Sequence, residues 1–160
     1  INQLIANTRS LIYEMSPTIL YQLGLSAALE SIVEQMNTFA GTAFTFQDDG
    51  SAKPLDNNSS IFLYRAVYEL LVNIVKHAKA QTAHVSFKKY KNHACISVQD
   101  DGTGFNATKR QAAKKAGAGY GLFSISERLE QLGGSIHIRS KTGHGVRVDL
   151  SVPLSATDKP

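Results

Sequence analysis

The chain has 160 residues, 42% of them hydrophobic, and carries 17 Lys and Arg against 13 Asp and Glu, a net charge of +4 with histidine neutral. That length is one ordinary domain, large enough to bury a core without a metal or disulfide staple. The composition argues against disorder, the single Cys95 excludes an internal disulfide or a cysteine-based zinc site, and Arg65, Glu69 and Asn73 interrupt the most apolar stretch before it reaches membrane-span length. A reducing, cytoplasmic compartment is expected. The chain opens on Ile1 without a signal pattern, so it is expected to be a piece of a longer protein that is itself open to membrane anchoring. The positive balance suits an anionic ligand such as nucleotide phosphates, or simply a soluble basic domain. Nucleic acid fits less well, because the cations are dispersed and the aromatic residues fall in core-like patterns.

Leu4, Ile5, Leu11, Ile12 and Met15 form a helical stripe over residues 1–16, and Ser16-Pro17 is expected to end it. A second helix is predicted from about Ser26 to Phe39, with Gly41 as its stop. Phe44 and Phe46 alternate with polar residues in a short strand closed by Asp48-Asp49-Gly50. After a polar loop comes the longest helix, from about Ser59 to Lys79. Ala83, Val85 and Phe87, then Ala94, Ile96 and Val98, alternate in two strands joined by a hairpin at Lys91-Asn92. An aperiodic Gly- and Lys-rich stretch (Gly102 to Gly119) leads to a helix over about Leu122–Leu132. Two last strands, around Ile136/Ile138 and Val146–Val152, meet through Gly143 and Gly145. Hairpin-linked alternating strands imply a two-layer α/β (α+β) sandwich: a mixed, mostly antiparallel sheet with helices on one face.

Three segments carry candidate chemistry. Arg65, Glu69, Asn73 and then Lys76/His77 make a polar seam along the otherwise apolar long helix. The seam is either a plain solvent face, favoured when taken alone, or a carboxylate, amide and cation spaced to hold hydrated Mg²⁺ and phosphate. In Val98-Gln99-Asp100-Asp101-Gly102-Thr103-Gly104-Phe105, at the end of a strand, Asp101 is read as acceptor for an exocyclic amine. Gly102 and Gly104 would let backbone approach a flat ring; an ordinary Asp-Gly turn is the plainer alternative. Gly117-Ala118-Gly119-Tyr120-Gly121-Leu122 stands directly before a helix, where exposed amides attract anions. No Walker motif is present.

The order of these signals resembles the N, G1 and G2 boxes of the GHKL superfamily (gyrase, Hsp90, histidine kinase and MutL), whose nucleotide site is the Bergerat fold. Ser16-Pro17…Leu20…Leu23-Gly24-Leu25…Ala28-Leu29, the box Glu69 to Ala78, and Ser126-Glu127-Arg128-Leu129 look like sensor histidine kinases of the NarL/DesK type. The resemblance covers roughly Leu11 to Pro153. It implies that residues 1–16 are the tail of a dimerisation helix, 17–155 the catalytic ATP-binding domain and 156–160 a disordered tail. It further implies that Asp101 binds the adenine amino group, that Gly102, Gly104 and Phe105 shape the adenine pocket, and that Asn73 ligates Mg²⁺. Glu69 takes the acidic catalytic position, Lys76 and His77 approach phosphate or ribose oxygens, and Gly119, Tyr120, Gly121 and Leu122 form the phosphate-facing segment. Residues 105–118 would be an ATP lid bearing Lys109, Arg110, Lys114 and Lys115.

Two departures stand out. Gly143-His144-Gly145 is followed by Val146 where many relatives place Thr, and none of the five histidines is followed by an acidic residue, as the phosphoacceptor of this family is. The expected function is therefore to bind Mg-ATP and donate its γ-phosphate to a histidine on an absent upstream dimerisation domain, for onward transfer to a response regulator. The chain alone should not autophosphorylate, and should be mainly monomeric although the full-length protein is expected to be a homodimer. An ATP hydrolase or clamp using Glu69, and a nucleotide-independent regulatory module, are the alternatives.

Overall fold

The computed structural model describes residues 2–106 and 120–155, with the backbone alone at residues 2–17, 39, 120 and 121. Helix α1 (Asn2–Phe39) does not stop at Ser16-Pro17 as its sequence predicts; it runs through the proline and breaks at Gly24 (φ 84°, ψ 177°), a conformation open to glycine. Proline costs a helix one hydrogen bond and a steric kink, which biases the chain against continuing without forbidding it. After the break, Leu25, Ala28, Leu29, Ile32, Val33 and Met36 are buried on one face.

The strands are β1 (Ala43–Asp48), β2 (Thr82–Tyr90), β3 (His93–Asp100), β4 (Ser135–Ser140) and β5 (Val146–Pro153), in the spatial order β1-β2-β3-β5-β4. Among the described residues only β1 with β2 is parallel, and the other three pairings are antiparallel. Helix α2 (Asn57–Asn73), continued by a π-helical turn (Ile74–Ala78), connects β1 to β2, and α3 (Tyr120–Gln131) precedes β4. Alternation fixes which face is covered: Val85, Phe87, Ile96, Val98, Leu150 and Val152 point inward. They join Leu29 and Ile32 of α1, Leu63, Val67 and Leu71 of α2, and Leu129 of α3 in one core. Each such side chain stabilises the fold by roughly 1.5–3 kcal/mol through burial. The opposite face is polar, with Ser86, Ser97, Asp149 and His137 side by side across the strands. The result is the expected two-layer sandwich with a mixed sheet.

A charged clasp closes the loop before α2. Lys53, its side chain only 3% exposed, places Nζ 2.7 Å from both Asp48 Oδ1 and Asp49 Oδ1, and lies 4.5 Å above the Phe87 ring. The Ser26 hydroxyl donates to Asp48, and the Lys89 N–H donates to Asp49 Oδ2 at 2.7 Å, so the clasp joins α1, β1 and β2. Burial pushes the Asp48 carboxyl upward, but hydrogen bonds from Lys53, Ser26 and Gly50 outweigh it and leave the pKa lowered. Asp49 is lowered chiefly by Lys53. Burial pushes Lys53 down, yet the two carboxylates leave it raised. The carboxylates therefore stabilise the fold above their unfolded pKa and lose that contribution as pH falls through the lowered folded values. Lysine contributes below its unfolded pKa and loses its share only as pH rises through the raised one. Across neutral pH the clasp is intact. Lys53→Met leaves two carboxylates without their shared cation and should lower the urea midpoint at pH 7. The gap from wild type should narrow as Asp48 and Asp49 protonate; an equal gap at all pH would show that packing, not charge, holds Lys53.

Candidate functional site

Asp56 starts α2: its Oδ1 accepts the Ser59 N–H at 2.9 Å and its Oδ2 the Ser59 hydroxyl at 2.7 Å, an N-cap with its own side-chain bond. Leu63, Val67 and Leu71 then face the core. The helix widens at Ile74–Ala78 into a π turn and ends at Lys79 in the left-handed region (φ 51°). Such turns recur at functional sites because they re-aim side chains against the helical period. Glu69, Asn73 and His77, at four-residue spacing, line one cavity of about 450 Å³. The solvent-face reading of the seam therefore holds for Arg65 and Lys76, which are exposed. Lys76 is not brought to the cavity wall.

Facing that helix is the end of β3. Ala94, Ile96, Val98 and Asp100 alternate inward, so Asp100 continues the core face, is 5% exposed and lines the cavity. The Gly102 N–H donates to its Oδ1 at 2.8 Å. Burial pushes the Asp100 carboxyl upward; the Gly102 and Val146 N–H groups oppose the shift, and the Asp101 charge adds to it. Asp101 is turned elsewhere. Its carboxylate accepts the N–H groups of Gln81 and Thr82 at 2.8 and 2.9 Å and the Thr82 hydroxyl at 2.8 Å, which hold its pKa low and anchor the start of β2. Of the two aspartates, the one that lines the cavity is Asp100, whereas Asp101, the expected adenine acceptor, is exposed, engaged by the start of β2 and not part of the cavity wall. Both signals for Asp100 were present, in the strand alternation and in Asp-x-Gly-x-Gly counted back from Gly104.

The glycines act through close backbone packing. A Cβ on Gly102 would lie 2.2 Å from the Ala78 carbonyl oxygen, where the Thr103 N–H also donates at 2.8 Å, so the loop lies directly on the π turn. A Cβ on Gly104 would lie 2.2 Å from the Lys141 carbonyl oxygen. Gly104 lines the cavity and Gly102 does not; the latter supports the wall from behind. Thr103, Phe105, Leu122 and Val146 complete the rim, over a floor of Leu70, Ile74, Val98 and Val148. Val146 presents an aliphatic side chain to the cavity. Tyr120 and Gly121 open α3. Gly119, and the lid expected over residues 105–118 from residue 107 onward with its four basic residues, lie outside the described residues, as does the tail 156–160.

An apolar slot bordered by a few convergent polar groups suits a flat ring with a polar or charged extension. Glu69 and Asn73 offer oxygen ligands on one wall. Among the described residues no group of three His, Cys, Asp or Glu forms a metal cage. That donor set fits Mg²⁺, which is held by one or two protein oxygens together with substrate phosphates. No helix among the described residues is long and apolar enough to cross a membrane.

Comparison with known proteins agrees with this geometry. Residues 58–156 match the family described as histidine kinase-, DNA gyrase B- and HSP90-like ATPase. The chain is 33% identical over 154 residues to the oxygen sensor histidine kinase NreB of Staphylococcus carnosus, covering 96% of this chain and 43% of that protein. It is 31% identical, over 96% of its length and 39% of the relative's, to the signal transduction histidine-protein kinase/phosphatase DegS of Brevibacillus brevis. The sensor histidine kinase ComP of Bacillus subtilis is 30% identical, with 96% of this chain covering 20% of that one. The chain thus spans less than half the length of these relatives. In fold it is similar to the histidine kinase domain of a blue-light-activated histidine kinase from Erythrobacter litoralis (TM-score 0.63, 20% identity, 81% of this chain and 61% of that one). A GHKL-type sandwich with its cavity between the α2 seam and the end of β3, matched by family over most of its length, identifies the chain as a member of the histidine kinase-, DNA gyrase B- and HSP90-like ATPase family, an ATP-binding domain of the kind carried by sensor histidine kinases.

Proposed function

We propose that this domain binds Mg-ATP in the cavity and presents the γ-phosphate to a histidine on an upstream dimerisation domain of the same protein, for onward transfer to a response regulator. The observation that carries the reading is the convergence of Glu69, Asn73 and His77 of one helix with Asp100 of the facing strand on one apolar-floored cavity. Asp100, as a carboxylate, accepts an N–H from the exocyclic amine of adenine, and Leu70, Ile74 and Val98 exclude water around the ring. Asn73 supplies an oxygen to Mg²⁺, which when bound neutralises phosphate charge. Glu69 orients water or the metal shell, and His77 with the amides that open α3 at Tyr120–Leu122 steadies the phosphates. Phosphoryl transfer depends mainly on positioning and charge stabilisation, and these residues supply both. On the same reading residues 1–16 are the tail of the dimerisation helix and 17–155 the catalytic domain of a homodimeric kinase.

The test is incubation of the chain with Mg-[γ-³²P]ATP, alone and with the upstream histidine-bearing segment supplied in trans. Acid-labile, base-stable label on that segment, absent from the chain alone and lost with Asn73→Ala, is expected. ATP hydrolysed without label transfer, and abolished by Glu69→Ala, would instead make the domain a hydrolase. A folded chain that binds no nucleotide would leave a regulatory module.

A further inference from the structure

The turn between β4 and β5 has a second concavity on its far side. Gln99, Arg147 and Arg139 stand in one row across β3, β5 and β4 on the sheet face turned away from the helices. Together with Ser140, Lys141 and His144 they line a cleft of about 340 Å³. Its lining is cationic. The other carboxylates nearby are committed: Asp100 reaches the wall but is buried and bonded to the Gly102 N–H. Asp149 accepts Arg139 Nη2 at 2.7 Å and Arg147 Nε at 2.9 Å. This arrangement orients both guanidinium groups while using one nitrogen of each, and a guanidinium has five N–H donors. Lys141 and His144 are exposed beside them and carry no ion pair among the described residues.

From this we infer that the cleft is a binding site for a small, multiply charged oxyanion, a phosphate or a polycarboxylate, separate from the nucleotide cavity. Guanidinium forks held in place by a carboxylate match the paired oxygens of carboxylates and phosphates, and a lysine at the rim adds a point charge. The two sites share a wall. Asp100 and Val146 line both. Ser140 accepts the N–H of Phe105 at 2.8 Å and donates to the Gly145 carbonyl at 3.1 Å, and the Gly143 N–H donates to the Thr103 carbonyl at 2.7 Å. An anion on the outer face therefore bears on the loop that forms the nucleotide rim.

The test is amide NMR of the chain with Mg-ADP present, titrated in parallel with inorganic phosphate and with tricarballylate at constant ionic strength, using chloride as the reference. Saturable shifts at Gln99 and at residues 139–145 are expected. In Arg139→Gln/Lys141→Gln, which leaves Arg147 to partner Asp149, binding should be about tenfold weaker while Mg-ADP affinity is kept. Saturation by phosphate alone assigns a phosphoryl ligand, and by tricarballylate alone a polycarboxylate. Shifts that track chloride, or that the double variant leaves unchanged, overturn the site.

Discussion

Asp100→Asn should abolish the melting shift that Mg-ADP gives the wild-type chain, while Asp101→Asn keeps it. At a hundredfold excess over Kd, ligand adds about 2.7 kcal/mol, an upward shift of several degrees for a domain this size. The asparagine at position 100 still offers an oxygen to the Gly102 N–H, so the loop has its bond and the apo fold survives. With that oxygen engaged, however, the amide has only its NH2 group left for the ring amine, a donor facing a donor, where the carboxylate has a second acceptor oxygen. Asp101→Asn removes an acceptor from the start of β2 and should lower the apo melting temperature, with the ligand-induced increment intact. The reverse pattern, loss at 101 and retention at 100, would return the adenine contact to Asp101.

Asp100 and Asp101 stand side by side where β3 ends. Both residues are acidic and both precede the glycines, so residue type alone does not separate them. The period-two alternation of β3 does: Ile96, Val98 and Asp100 share the buried face, and the next residue leaves the strand. The strands, their hairpin at Lys91-Asn92 and the one-sided core were legible for the same reason, since alternation writes the buried face directly into the residues. The helical seam was legible as chemistry but not as position. Its four-residue spacing is compatible with solvent, and the π turn that carries His77 to the cavity wall and leaves Lys76 exposed depends on how Ala78 meets the Gly102 loop. The helix stop at Ser16-Pro17 failed because a local steric bias competes with neighbours on both sides, whereas Gly24 adopts a backbone conformation that a helix cannot absorb.

Gly145→Ala should destabilise the fold by about 2–4 kcal/mol and weaken Mg-ADP binding at the same time, although residue 145 is not in the nucleotide cavity wall. Two costs combine. The residue sits at φ 73°, where an L side chain is strained, and its added Cβ would lie 2.0 Å from the Asp100 carbonyl oxygen and 2.7 Å from the carbonyl carbon. Those atoms are backbone in a paired strand, so relief must come by moving the β4–β5 turn or the end of β3. Either movement displaces Asp100 and the Val146 N–H that supports it. Gly143→Ala provides the control, because Gly143 has φ 79° but nothing within 4 Å of its Cβ position. It should show only the conformational cost, about 1 kcal/mol, with ligand affinity retained. Urea unfolding and Mg-ADP titration on the two variants then separate the contributions: the excess cost at 145 measures the contact between the turn and the nucleotide loop. Equal costs at 143 and 145 with unchanged affinity would show that the turn yields freely and that Asp100 is positioned by β3 alone.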